Sequence, residues 1–240
     1  MIISPRRNKK SYADITILVD MDDTIVGLLE AWCYWLNQKY GTHVSIDEVT
    51  DWDISKFFPT LTREEVFEPL HNENFWYYVE PKAKAVEYVK KFIDEGFNVY
   101  LCTSTDYRNV KPKYERVILN YFPYIHWQKV IVAYDKAMIK ADFLIDDGVH
   151  NLENGKYIKV LMTAPHNRKY DAEGNGMVRV SDMEDAYNKI HEIADGMVNY
   201  SPEWEYIVNT QMMPKCEFLG YCPEKHSCGR KPKKQTNEKN

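Results

Sequence analysis

No apolar run in the 240 residues approaches the length of a membrane span or a secretory leader. Arg6, Arg7, Lys9 and Lys10 precede the run Ile15–Val19, but Asp20 cuts that run short. The expected location is therefore cytoplasmic, with no membrane partner. An excess of basic charge is also missing. The 31 Lys and Arg against 36 Asp and Glu leave a net charge of -5, which argues against a protein that coats nucleic acid. A small anionic substrate would then need local positive charge or a metal. Cysteine is scarce and odd in number, at five, and Cys33 and Cys102 sit inside apolar stretches that suit reduced, buried thiols. No disulfide framework and no internal repeat is implied. What remains is 44% hydrophobic and 14% aromatic content, enough for one good core and a small second lobe. Self-association as a homodimer stays open.

The chain is organised around Ile15-Thr-Ile-Leu-Val followed by Asp20-Met21-Asp22-Asp23-Thr24. A β-branched apolar run of this kind reads as a buried parallel strand. It delivers three carboxylates in four positions, which is costly unless a cation or a phosphoryl transfer uses them. They would lie at the strand's carboxyl end, where open α/β sheets bind ligands. The bland alternative is an acidic turn or helix start, because Asp and Thr are good cap residues.

Further along, Val26 to Tyr40 carries apolar residues at helical spacing and stops at Gly41. Residues 42–80 break the alternation of strand and helix with Asp51-Trp-Asp53, a Thr62-Arg-Glu-Glu65 capping box and the aromatic run Phe75-Trp-Tyr-Tyr78. This reads as a small, mostly helical cap inserted after the first strand. From Pro81 a helix is expected with Val86, Val89 and Ile93 inward and Gly96 past its end. Strands are expected over 98–103, 129–134, 141–146 and 157–163, with helices over 113–121 and from a Ser181-Asp-Met-Glu184 box to about residue 193. The pattern predicts an α/β fold with a doubly wound parallel sheet. Its expected domains are a core of residues 1–26 and 79–196, a cap of residues 27–78 and a C-terminal extension of residues 197–240. Four successive strands end in polar residues: Asp20 and Asp22; Thr103 and Ser104; Asp135 and Lys136; Asp146 and Asp147. Four such ends converge on one crevice, where a carboxylate nucleophile, a proton donor, a cation and phosphate-binding donors meet the needs of phosphomonoester hydrolysis.

Asp20-Met-Asp-Asp-Thr24 resembles the first motif of the haloacid dehalogenase superfamily of Mg-dependent phosphohydrolases. With Leu101-Cys-Thr-Ser104, Asp135-Lys136, Ala141-Asp-Phe-Leu-Ile-Asp-Asp147 and the later Ala164-Pro-His-Asn-Arg168, the order and spacing resemble its 5′(3′)-deoxyribonucleotidase family, of bacterial and phage type. The resemblance implies a Rossmann-like core and a Mg²⁺-dependent nucleotidase for nucleoside monophosphates that works through an aspartyl-phosphate. Asp20 would be the nucleophile and Asp22 the acid and base. Thr103, Ser104 and Lys136 would bind phosphate, and Asp20, Asp22 (by its backbone carbonyl), Asp146 and Asp147 would hold Mg²⁺. It also implies Leu28, Trp52, Asp53, Phe75 and Trp76 as candidates for the base and sugar pocket. Asp23 departs from the pattern, which has Gly there; its carboxylate must point away from the metal or weaken phosphate binding. A phosphatase for another small phosphate, such as a sugar phosphate, is the competing enzyme reading. A nucleotide-binding or interaction protein is the competing non-enzyme reading.

In the tail, Cys216, Cys222, His226 and Cys228 supply the donors of a structural Zn²⁺ site, although their spacing departs from the usual pairs. Residues 229–240 have no apolar anchor and read as disordered.

Overall fold

A computed structural model of the chain describes residues 11–198. The zinc set Cys216, Cys222, His226 and Cys228, and the expectation for residues 229–240, lie outside the described residues.

Six parallel strands form one sheet in the order β3-β2-β1-β4-β5-β6. They are β1 (Thr16–Val19), β2 (Asn98–Thr103), β3 (Val130–Val132), β4 (Phe143–Asp146), β5 (Ile158–Met162) and β6 (Val178–Val180). The chain winds outward from β1 to β3, returns to pair β4 with β1, and then winds the other way. The reversal falls between β1 and β4. Buried on both faces, the inner strands β1, β2, β4 and β5 have alternate residues in two separate cores. Ile17, Val19, Leu101 and Ile145 pack with the large core that holds α1 (Leu28–Tyr40), α3 (Ala85–Asp94) and α7 (Met183–Val198). Leu18, Cys102, Leu144 and Leu161 pack with a smaller core that includes Leu152 of α6 (Val149–Glu153). Cys33 and Cys102 are buried and free.

Between β1 and β2 every element is helical: α1, α2 (Arg63–Phe67), and short 3₁₀ turns that include Ile54–Phe57 and Phe75–Tyr77. Both halves of the Thr62–Glu65 capping box form. The Thr62 backbone N–H donates to Glu65 at 2.8 Å and Glu65 N–H donates to Thr62 Oγ1 at 3.2 Å. Gly41 ends α1 in the left-handed region at φ 66°.

Several expectations are corrected. Pro81 does not start a helix; it bridges to Val26, and α3 begins at Ala85 with Tyr88, Val89 and Phe92 as its buried face. Val86 and Ile93 are only half-buried. The helix expected over 113–121 starts six residues earlier, as α4 (Tyr107–Pro112) capped by Asp106, then passes through a π turn (Lys113–Ile118) into α5 (Leu119–Tyr121). Pro112 has no N–H to close an α turn, and the backbone widens directly after it. At α7 the cap is Asp182, which accepts from Asp185 N–H at 2.9 Å, so the Ser181–Glu184 box does not form. That helix also runs past Gly196 to Val198. Strand β6 was not expected at all.

Candidate active site

Asp20 follows β1 and Asp146-Asp147 closes β4, so the carboxylates meet at the reversal of strand order, where an open α/β sheet leaves a crevice. One oxygen from each of Asp20, Asp146 and Asp147 lies within 4.8 Å of the others, and all three residues are buried. Three carboxylates this close cannot all stay charged without a cation.

Lys136 provides one. Its ammonium, 1% exposed, donates to Asp20 Oδ1 and, at 2.6 Å, to Asp146 Oδ2. Asp135 caps the turn that aims it, accepting from Ala137 N–H at 3.0 Å. Burial pushes the Asp20 carboxyl well above the usual carboxylate range, and Asp146 and Asp147 push the same way, while Lys136 pulls it back. Burial opposes the Lys136 charge, yet Asp20 and Asp146 outweigh it and hold the lysine protonated. Lys136→Met, which strands two buried carboxylates, should destabilise the metal-free protein by about 3–5 kcal/mol in urea unfolding. A loss below about 1 kcal/mol would show that the ion pair does not hold the site together.

The neighbours of Asp146 and Asp147 leave a distinct opening. Asp146 Oδ1 accepts from Gly148 N–H at 2.7 Å and Asn151 Nδ2 at 3.0 Å, so Asp146 is held on both oxygens. Thr24 Oγ1 donates to Asp147 Oδ1 at 3.2 Å, and His166 Nε2 stands 3.2 Å from Asp147 Oδ2. Even so, Asp147 Oδ2 makes no hydrogen bond although it is buried. Burial lowers the His166 pKa, but its contacts with Asp147 more than reverse this and raise it. An unsatisfied carboxylate oxygen beside two further carboxylates, with oxygen donors only, fits a hard divalent cation such as Mg²⁺.

Asp22 and Thr103 are joined by Lys113, which sequence reasoning passed over. Its ammonium sits 2.6 Å from Asp22 Oδ2 and 2.9 Å from Thr103 Oγ1. No local pattern marks this lysine, since Lys111 and Lys113 read alike and only tertiary contact tells them apart. Ser104, expected beside Thr103, is exposed at the same strand end.

Asp23 holds the left-handed conformation at φ 55°, which suits Gly and which Asp tolerates. Its side chain turns to the start of α1 and accepts from Leu29 N–H at 2.9 Å. The helix begins after Gly27, which has no side chain to cap it, so Asp23 satisfies that end from a distance. Removal from water, reinforced by Asp147, raises its pKa to about 8.

The expected base and sugar residues are scattered. Leu28 begins α1 and is almost buried. Phe75 and Trp76 are buried, packed edge-to-face, with the Trp76 ring 5.5 Å from the Lys113 ammonium. Asp53 caps a 3₁₀ turn and pairs with Arg63 at 3.1 Å. Trp52 alone is exposed, with its ring edge-on to His150 and His166 at 4.7 and 5.0 Å.

Residues 13–195 match the family model described as 5′ nucleotidase, deoxy (pyrimidine), cytosolic type C protein. The chain belongs to this family. A Bacillus subtilis protein named 5′(3′)-deoxyribonucleotidase is 32% identical over 178 residues, 72% of this chain and 97% of its own. A protein of the same name from Clostridium acetobutylicum is 29% identical over 173 residues, 71% of this chain and 92% of its own. A haloacid dehalogenase-like hydrolase from Streptococcus pneumoniae superposes with a TM-score of 0.52 at 11% identity, covering 73% of this chain and 98% of its own. That likeness establishes the fold. The resemblance to the deoxyribonucleotidase family read from the motifs is thereby confirmed, that family comprises phosphoric monoester hydrolases, and the fold is one shared with a haloacid dehalogenase-like hydrolase. No helix among the described residues is long and apolar enough to cross a membrane.

Proposed function

We propose that the protein is a Mg²⁺-dependent phosphomonoesterase that dephosphorylates deoxyribonucleoside monophosphates through an aspartyl-phosphate on Asp20. The observation that carries the reading is the meeting of Asp20, Asp146 and Asp147 with Lys136 at the strand reversal. The name borne by the Bacillus and Clostridium relatives supports the substrate class.

Asp20 attacks phosphorus as the ester oxygen leaves, and Asp22 gives that oxygen its proton. Asp22 next takes a proton from water, whose oxygen bonds to phosphorus while the bond to Asp20 breaks. Thr103 and Ser104 hold the phosphoryl oxygens, and Lys136 shields them from the carboxylates. Asp20, Asp146, Asp147 and the Asp22 backbone carbonyl would hold Mg²⁺. When bound, it supplies the positive charge that lets an anionic nucleophile approach an anionic ester.

Residues 27–78 serve as the cap over the core, whose described part is residues 11–26 and 79–196. Trp52 is its stacking surface for the base, because it is exposed and its neighbour His166 reaches Asp147. Leu28, Asp53, Phe75 and Trp76 are carried as further pocket residues on the family resemblance alone.

The test is phosphate release over a panel of nucleoside, deoxynucleoside and sugar monophosphates. Deoxynucleotides are expected to turn over best; exclusive turnover of sugar phosphates would overturn the substrate assignment. In the same assay Trp52→Ala should raise KM for nucleotides roughly 5- to 150-fold, the equivalent of about 1–3 kcal/mol of base stacking, while sparing p-nitrophenyl phosphate. Equal effects on both substrates would place the base elsewhere.

A further inference from the structure

Asp20 and Asp22 each have a buried lysine, brought in by different segments of the chain. Lys136 follows β3 and takes Asp20. Lys113 opens the π turn after α4 and takes Asp22, with only 3% of its own side chain exposed. A buried ammonium is costly unless its partners repay it. Lys113 has two, and both belong to the proposed chemistry.

The direction of these hydrogen bonds carries the consequence. An ammonium only donates. Because Lys113 donates into Thr103 Oγ1 at 2.9 Å, the Thr103 hydroxyl hydrogen must point away from it. Because Lys113 also occupies Asp22 Oδ2 at 2.6 Å, the other oxygen, Oδ1, remains buried and without a hydrogen-bond partner. One lysine thus fixes which Asp22 oxygen is open and which way a strand-end hydroxyl donates. The Trp76 ring stands 5.5 Å from the same ammonium and covers it. The π turn begins at Lys113 itself, a local distortion of a kind that recurs at functional sites.

We propose that Lys113 is a positioning residue that presents Asp22 Oδ1 to the reacting oxygen and turns the Thr103 hydroxyl toward the phosphoryl group. This rests on the phosphatase reading above and adds a residue to it. In the first half-reaction the bond between phosphorus and the ester oxygen breaks. Its electron pair stays on that oxygen, which takes the proton from Asp22 Oδ1. In the second, water returns a proton to Asp22 and its oxygen bonds to phosphorus. The bond from phosphorus to Asp20 breaks and its electron pair restores the carboxylate. Lys113 itself transfers nothing.

The two tasks separate by leaving group. A nucleoside alkoxide needs a proton to leave; p-nitrophenolate does not. Lys113→Met keeps the apolar stem and removes the charge and donors. It should lower the pre-steady-state rate of nucleoside release from a deoxyribonucleoside monophosphate by about 10²- to 10³-fold, the range of a misplaced general acid. The pre-steady-state release of p-nitrophenolate, a step that needs the Thr103 donor but no proton, should slow only about tenfold; the later water attack needs Asp22 with either substrate. Lys113→Arg should recover part of the nucleotide rate, because it restores a charged donor. Should Lys113→Met fail to fold, Lys113→Gln carries the same ratio test. Equal losses for the two substrates, or no loss for either, would overturn the assignment. A parent protein that hydrolyses neither substrate would overturn the phosphatase reading instead, and this inference with it.

Discussion

Asp20→Asn is expected to slow phosphate release from a deoxyribonucleoside monophosphate by at least about 10⁴-fold while leaving the protein folded. The amide matches the carboxylate in shape but has no charge with which to attack phosphorus. The fold survives because Lys136 keeps its contact with Asp146 at 2.6 Å, and the neighbouring backbone bond from Asp20 N–H to Ile145 O does not involve the side chain. Steady-state kcat and a thermal melt check the two halves of this expectation. Activity within about tenfold of the parent protein would remove Asp20 from the chemistry.

Removal of divalent metal should have a comparable effect. Chelation is expected to abolish turnover, Mg²⁺ to restore it and Ca²⁺ to fail. Asp147 Oδ2 is buried without a hydrogen-bond partner beside Asp20 and Asp146. Such an oxygen-only set suits a small octahedral ion. Ca²⁺ takes more ligands at longer distance and would draw Asp20 into bidentate binding, off its line of attack. Phosphate release in EDTA, in Mg²⁺ and in Ca²⁺ checks this, and equal rates in EDTA and Mg²⁺ would contradict it.

The half of the sheet that carries the site was legible, because each of its strands is an apolar run that stops at polar residues. Ile17 to Val19 followed by Asp20, and Phe143 to Ile145 followed by Asp146, could bury such residues only by placing the polar ends in a crevice. Strand β6 was not legible. Val178-Arg-Val180 is short, lies at the sheet edge, and centres on an arginine whose guanidinium bonds Asn167 and Tyr170 carbonyls at 3.1 and 2.6 Å. The start of α4 was hidden because Pro112 reads as a break, whereas the backbone widens into a π turn and continues.

The site divides in the same way. Lys136 could be placed because it follows a strand end. Lys113 could not, since its partner Asp22 lies 91 residues away and nothing local distinguishes it from a solvated lysine. Asp23 was visible as a departure from the family pattern. What it does instead, capping α1 through Leu29 N–H, depends on a left-handed backbone at φ 55° that no pattern announces.

The central claim is a phosphoryl group carried on Asp20, and acid-quenched rapid mixing tests it most directly. The protein, with Mg²⁺ and excess deoxyribonucleoside monophosphate, is quenched within one turnover, digested at low pH and analysed by mass spectrometry. The account predicts one added phosphoryl group on the peptide containing Asp20, absent from Asp20→Asn and discharged by hydroxylamine. Phosphate released at the parent rate with Asp20 unmodified at every quench time, or the label found on another residue, would contradict it.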